Sequence, residues 1–199
     1  MLVERAKKND RQAFRQLVQR HEQQVRATVM GMLGPVVEAD DVAQEVFIRF
    51  YQALDNFRGE SQVSTYLSRI AINLSLNELK RRQRQQKRFL FWQRGDQHMP
   101  DPVDEHTDPQ RSEDQEMVHK ALQYVEEEFR AVIVLRLLEG YSVKETADLL
   151  NIPMGTVASR LARGLDRLKE VLTKLGMRAP LPSASSQRGD TVPKKQKGE

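Results

Sequence analysis

The chain has no cysteine among its 199 residues. Disulfides, thiolate metal sites and cysteine nucleophiles are thereby excluded, nothing argues for an oxidising compartment, and the cytoplasm is the expected setting. Long apolar runs are missing as well. No stretch approaches the roughly 18 apolar residues of a membrane span. The opening MLVERAKKND is charged and lacks an apolar centre, so a soluble chain with neither leader nor membrane insertion is expected. Convincing strand alternation is also absent, and helical periodicity dominates. The expected class is all-α.

What is present fits two small helical domains. A hydrophobic content of 39% over this length can supply real cores. The net charge of +4 is a mild excess of 32 Lys and Arg over 28 Asp and Glu, and an isoelectric point near 9.4 suits a polyanionic partner. The distribution says more. Residues 1–88 hold 16 basic against 10 acidic side chains, 89–116 hold 2 against 8, 117–176 hold 9 against 8, and 177–199 hold 5 against 2. Such blocks mark a first domain over 1–90, a flexible acidic linker over 91–114, a second domain over 115–176 and a disordered basic tail over 177–199.

The segment 142–163, SVKETADLLNIPMGTVASRLAR, specifies a helix-turn-helix joint by joint. Ser142 with Glu145 forms a capping box that starts a helix. Val143, Ala147 and Leu150 are its expected inward face, and Asn151 tolerates the left-handed conformation of a tight turn. Ile152 plugs that turn, Pro153 suits the first turn of a new helix, and Val157 and Leu161 return to the core. Thr156, Ser159, Arg160, Arg163 and Arg167 remain on the outer face, where they suit base edges and phosphates of a major groove. An ordinary helical hairpin with a solvated basic face is the alternative.

Upstream, Asn9 or Asp10 can cap a long helix with Phe14, Leu17, Val18, Val25 and Val29 inward, ending within 31–35. A second helix starts within 38–41 and buries Ala43, Val46, Phe47, Phe50 and Leu54. DNFRGES breaks it. A third begins near Val63, buries Leu67, Ile70, Ala71 and Leu74, and continues into KRRQRQQKR. In the second domain, Met117, Ala121, Leu122 and Val125 stripe one helix. FRAVIVLRLLEG is apolar on more than one face, so it is either central or leaves a patch for a partner.

The motifs LVERAKKNDRQAFRQLVQRH, ADDVAQEVFIRFYQALDNFRGES, STYLSRIAINLSLNELKRR and LRLLEGYSVKETADLLNIPMGTVASRLARGLDRLK occur in that order. In this the chain resembles the extracytoplasmic-function (ECF) sigma factors, the minimal two-domain promoter-specificity subunits of bacterial RNA polymerase. The similarity covers 2–90 and 113–175. It implies sigma region 2 for the first domain and the helix-turn-helix region 4 for the second, with core polymerase, promoter DNA and an anti-sigma factor as partners.

By that resemblance, Asp41, Gln44 and Glu45 grip the coiled coil of the polymerase β′ clamp. They lie at i, i+3 and i+4 on one helix face, where a solvated acidic helix start is the competing explanation. Asn56, Phe57, Arg58, Ser61, Ser64, Thr65 and Tyr66 match the loop and helix start that open the −10 element and capture a flipped base. Polar groups for a base edge beside aromatic rings suit that task. Core packing is an equal alternative for Phe57, whereas Tyr66 is expected to offer a stacking face. Lys80, Arg81 and Arg84, together with Arg82, are expected to meet phosphates. Thr156, Ser159, Arg160, Arg163 and Arg167 are expected to read the −35 element. The surface around Val132, Leu135 and Leu138 is expected to include the seat for the polymerase β flap, with core packing the alternative for each residue.

Two departures from the family pattern stand out. Ala158 replaces a frequent Lys or Arg, so one base contact is lost. Val125-Glu126 replaces a frequent Leu-Pro break, so a softer joint is expected there. By the same resemblance, the acidic block 89–116, at net −6, is expected to mimic RNA in basic polymerase channels. No catalytic residue, metal or cofactor is expected. Asp40-Asp41 lacks a phosphate loop or a base, and His98, Asp101, Asp104 and His106 lie in a proline-rich linker without supporting groups. A sigma mimic that sequesters a regulator and a free-standing helix-turn-helix regulator are the rival functions.

Overall fold

The computed structural model describes residues 2–59, 61–92 and 113–175. The centre of the acidic linker and the basic tail lie outside the described residues. So do His98, Asp101, Asp104 and His106. Every described regular element is helical: α1 (Leu2–Lys7), α2 (Arg11–Leu33), α3 (Val37–Ala53), α4 (Val63–Trp92), α5 (Glu113–Gln123), α6 (Glu127–Ile133), α7 (Val143–Leu150) and α8 (Met154–Lys174). A 3-10 turn, Leu54–Asn56, follows α3, and a π-helical turn, Val134–Leu138, prolongs α6.

The charged opening conceals α1, which the sequence pattern did not suggest. Asn9, at φ 61°, takes the left-handed turn after it. Asp10 then caps α2 by accepting from the Gln12 and Ala13 amides. That amide contact and Arg5 hold the Asp10 carboxyl below its usual range. α2 packs on α1, α3 and α4. At their centre Phe50 is wholly buried, 6.0 Å from the rings of both Phe57 and Tyr66. Burying one such side chain contributes about 1.5–3 kcal/mol.

In the C-terminal unit α6 packs against α8. Gly164 allows the approach, since a Cβ there would meet Ile133 Cδ1 at 2.9 Å. Two clusters hold the unit. Ala121, Leu122, Val125, Ile133, Leu168, Val171 and Leu172 form one; Val132, Ala147 and Val157 form the other beneath the helix-turn-helix. The joint at Val125 is not soft. Arg130, 5% exposed, donates to the carbonyl oxygens of Val125 at 2.8 Å and Gln123 at 2.9 Å, which replaces a proline's rigidity with a buried guanidinium.

The two units touch. Ala131, Val134, Leu135 and Leu149 belong to the same buried cluster as side chains of α2 and α4. This explains a rotation of α7 relative to its expected face. Thr146, Ala147 and Leu149 are buried, while Val143 and Leu150 are half-buried, because α7 packs on both α8 and α4.

Candidate nucleic-acid interface and docking face

On α3, Asp41 and Gln44 are exposed and Glu45 is half-buried, paired with Arg49 at 2.8 Å. They share their side of the molecule with large apolar side chains that stay partly uncovered: Val37, Ile48 and Tyr51 are each about half exposed, with Tyr51 edge-on to Phe14 at 4.9 Å. Val37, Asp41, Gln44, Ile48 and Tyr51 succeed one another at steps of four, three, four and three. That is the 3.5-residue seam by which one helix meets another in a coiled coil. Beside it, between α2 and α3, runs a groove of about 500 Å³ lined by Val18, Arg26, Phe47, Gln44 and Ile48. An Arg26–Asp40 pair at 3.3 Å closes its wall. The three apolar members of the seam were missed from the sequence, although their spacing was readable there.

The loop after α3 is tethered at both ends. Phe57 is 8% exposed and stands edge-on to the half-buried Tyr66, with ring centroids 5.2 Å apart. In this structure the Phe57 ring is core, and much of the Tyr66 ring is engaged by Phe50 and Phe57. Between them Asn56, Arg58 and Ser61 are exposed, and Ser64 and Thr65 are half-buried. Ser64 donates to Gln62 at 3.4 Å. The arrangement is an aromatic anchor beneath a polar rim.

Along α4, Lys80, Arg81 and Arg84 are exposed. Glu78 takes two bonds from Arg81, at 2.7 and 2.8 Å, and one from Arg82 at 3.0 Å. The Arg81 bond foremost holds the Glu78 carboxyl below its usual range. The run is thus less cationic than its sequence, and Arg82 also reaches Glu38 at 3.4 Å.

The helix-turn-helix closes as its sequence specifies. The Ser142 amide donates to Glu145 at 2.8 Å and the Glu145 amide to Ser142 Oγ at 3.2 Å; the Ser142 side chain first, then its amide, hold the Glu145 carboxyl below its usual range. Asn151 takes the left-handed turn at φ 52°. Pro153 sits at the cap one residue before α8. On α8, Ser159, Arg163 and Arg167 are exposed, and Thr156 is half-buried. Ser159 Oγ donates to the Thr156 carbonyl at 3.1 Å, and Arg167 pairs with Glu170 at 3.1 Å. Arg160 is half-buried and ion-paired with Glu128.

Arg160 faces a cleft of about 900 Å³ between the units, shared with Lys80, Arg82 and Gln83 of α4 and with Glu126 and Glu127. Two residues assigned by sequence to different promoter elements, Lys80 and Arg160, therefore line one cavity. The residues expected around the flap seat divide between core and surface. Val132 belongs to the helix-turn-helix core and Leu135 is buried against α2 and α4, whereas Leu137 and Leu138 are 54% and 44% exposed. Among the described residues no helix is long and apolar enough to cross a membrane.

Comparison with known proteins matches residues 17–85 to the family model of sigma-70 region 2 and residues 115–168 to that of sigma-70 region 4. The RNA polymerase sigma-H factor of Pseudomonas aeruginosa is 35% identical over 181 residues, 87% of this chain and 93% of that protein. The ECF RNA polymerase sigma-E factor of Escherichia coli is 33% identical over 174 residues, covering 84% and 91%. Among solved structures, the sigma factor RpoE of Bartonella quintana in complex with the anti-sigma factor NepR aligns at TM-score 0.62 and 25% identity, covering 80% of this chain and 96% of that one. CnrH in complex with the cytosolic domain of CnrY aligns at 0.61 and 23% identity, over 87% and 96%, which supports the fold. Helix order, the specified helix-turn-helix and these matches together establish that the chain belongs to the sigma-70 family, within its ECF group of transcription initiation factors.

Proposed function

We propose that this chain directs core RNA polymerase to promoters by dividing three contacts among the surfaces described above. The exposed heptad seam on α3 carries the reading. A polar centre of Asp41, Gln44 and Glu45 flanked by Val37, Ile48 and Tyr51 suits a helical partner with basic side chains, and the clamp coiled coil of polymerase has that form.

The −10 element is opened by the loop and helix start from Asn56 to Tyr66. Phe57 anchors the loop from below, and Asn56, Arg58, Ser61, Ser64 and Thr65 supply the groups for an unstacked base, with the accessible part of Tyr66 as its stacking surface. Capture of the base offsets an unpairing cost of a few kcal/mol without nucleotide hydrolysis. Lys80, Arg81 and Arg84 contact the flanking phosphates. Thr156, Ser159, Arg160, Arg163 and Arg167 on α8 read the −35 element, and exposed Ala158 offers at most a methyl contact to thymine. The β flap binds the apolar surface of the π-helical turn.

The chain acts in the cytoplasm, without a catalytic residue, metal or cofactor of its own. An anti-sigma protein controls it; the similar sigma factor RpoE was co-crystallised in complex with one. The test is reconstituted transcription with bacterial core polymerase on fragmented genomic DNA, with transcript 5′ ends sequenced. Starts that share two spaced motifs and vanish without the protein support the proposal. A folded protein that neither binds competent polymerase nor creates starts is instead a sequestering mimic or a free-standing regulator.

A further inference from the structure

The outward surface of α8 is divided into two parallel rows. Met154, Ala158 and Ala162 follow one another at steps of four, and so do Gly155, Ser159, Arg163 and Arg167. All of them are exposed. Residues four apart lie one above another on a helix, so each set forms a strip and the two strips run side by side. The first is wholly apolar, and the second carries a hydroxyl and two guanidinium groups.

The fold makes no use of the apolar strip. Among the described residues none of its three members belongs to the apolar clusters beneath α8, which take Val157, Leu161 and Leu168 instead, and Met154 is left 57% exposed. Gly155 beside it is not demanded by the fold either. It has no positive φ, and a Cβ there would meet nothing within 4 Å. Its missing side chain serves the close approach of another surface to this face of the helix.

The surface that approaches is the major groove of the −35 element, if α8 acts as proposed above, and the inference that follows rests on that reading. A major groove presents one apolar group, the C5 methyl of thymine; the other bases present donors and acceptors. Opposite an apolar strip those polar groups lose water and gain no partner, whereas burial of a thymine methyl is favourable. Phosphates do not suit the strip, which has no donor side chain. The next residue of its row is exposed Asp166, whose carboxylate repels them.

We infer that Met154, Ala158 and Ala162 are specificity-determining residues that select thymines in the −35 element through their C5 methyl groups, while Ser159 and Arg163 of the adjoining strip make the polar contacts. From Met154 to Ala162 the strip extends about 12 Å along the axis, enough for about three to four base pairs. An arginine or lysine at position 158, frequent in the family, would favour guanine. Ala158 therefore exchanges one base preference for another.

The test removes methyl groups from the DNA and leaves the protein as it is. Each thymine of the −35 element defined by the transcription experiment is replaced singly by uracil, and binding of the polymerase holoenzyme is measured at fixed salt. Uracil should lower affinity about fourfold at two or more positions, the effect of one buried methyl. Ala158→Gly removes the partner methyl and should abolish the uracil effect at one of those positions while leaving it at the others. Ala158→Arg, which keeps the helix propensity that glycine lacks, should shift the preferred base at that position from thymine to guanine. A −35 element without thymine, or one that tolerates uracil throughout, overturns the inference. So does an Ala158→Arg protein with unaltered base preference, or a uracil effect that Ala158→Gly and Ala162→Gly leave unchanged, because the methyl then acts through DNA shape. All these outcomes leave the functional proposal standing, whereas a holoenzyme that forms no promoter complex removes that proposal, so the two failures are distinguishable.

Discussion

Arg130 donates from a buried guanidinium to the carbonyl oxygen of Met32, 98 positions earlier, and so binds the end of α2 to the second helix of the C-terminal unit. The same side chain holds the Gln123 and Val125 carbonyls. Burial pulls its pKa down to about 10, with Glu127 opposing the shift, which leaves it charged at neutral pH. Arg130→Met should cost about 3 kcal/mol, because buried carbonyls lose their donors. For a chain of this size that is a fall in Tm of roughly 6–12 °C. Arg130→Lys should fall between, since one ammonium cannot span the same carbonyls. Calorimetry gives the answer, and an unchanged Tm would mean that water replaces the guanidinium.

Glu139 sits where burial pushes its carboxyl up, although hydrogen bonds from Thr28 and Gln24 pull the other way. The folded state therefore holds the proton more tightly than the unfolded chain. Between the ordinary and raised pKa the folded state binds more protons, so stability falls as pH rises through that window, and the penalty is complete above it. Glu139→Gln keeps the shape and removes the charge. It should raise Tm by a few degrees at pH 7, with the gain vanishing as pH falls below the ordinary carboxylate range. Melts from pH 4 to 8 test this, and a gain independent of pH would exclude the charge as its cause.

The helix-turn-helix was legible because its determinants are local. Ser142 and Glu145 are three residues apart, and Asn151 needs only its own backbone to turn. The core stripes of α2, α3 and α4 were legible for the same reason of periodicity. Arg130 was not, since its partners come from another helix and from the far unit, and a lone arginine in an apolar helix reads as a surface side chain. Arg160 reads as free for DNA until Glu128, 32 positions away, is placed beside it. The linker's charge predicted separated units, while the packing of Leu149 and Val134 against α2 and α4 depends on shape, for which spacing along the chain gives no signal.

Phe57 and Asn56 are neighbours with opposite expected phenotypes. The Phe57 ring is buried against Phe50 and Tyr66, so Phe57→Ala should destabilise the fold by about 3–5 kcal/mol. Asn56 is exposed at the end of the 3-10 turn. Asn56→Ala should leave the unfolding free energy within about 0.5 kcal/mol of the original yet reduce promoter opening, measured by permanganate reactivity of the −10 thymines. Equal opening by the Asn56 variant would remove that side chain from base capture.

Arg160 has to exchange Glu128 for a base. Arg160→Ala should weaken −35 binding by roughly 1–3 kcal/mol if the contact is bidentate, and relax specificity at one position. Glu128→Gln should act in the opposite sense, because the arginine no longer leaves an ion pair to reach DNA. The readout is binding of polymerase holoenzyme to promoter variants at fixed salt. A loss shared equally by all sequences would reassign Arg160 to a phosphate.

The seam on α3 makes the sharpest separation between folding and binding. Gln44→Ala with Glu45→Ala removes two of the three polar side chains at its centre, and Ile48→Ser removes an apolar knob that is already 50% exposed. Neither change opens a cavity in the free protein, so helicity should be unchanged and stability should hold to within about 0.5 kcal/mol. Polymerase affinity should collapse for the double variant and fall at least about fivefold for Ile48→Ser, since a knob leaving its hole forfeits roughly 1–3 kcal/mol at a desolvated contact. Titration of labelled protein with core polymerase measures both. Unchanged affinity in the double variant would mean that another face of region 2 holds the clamp.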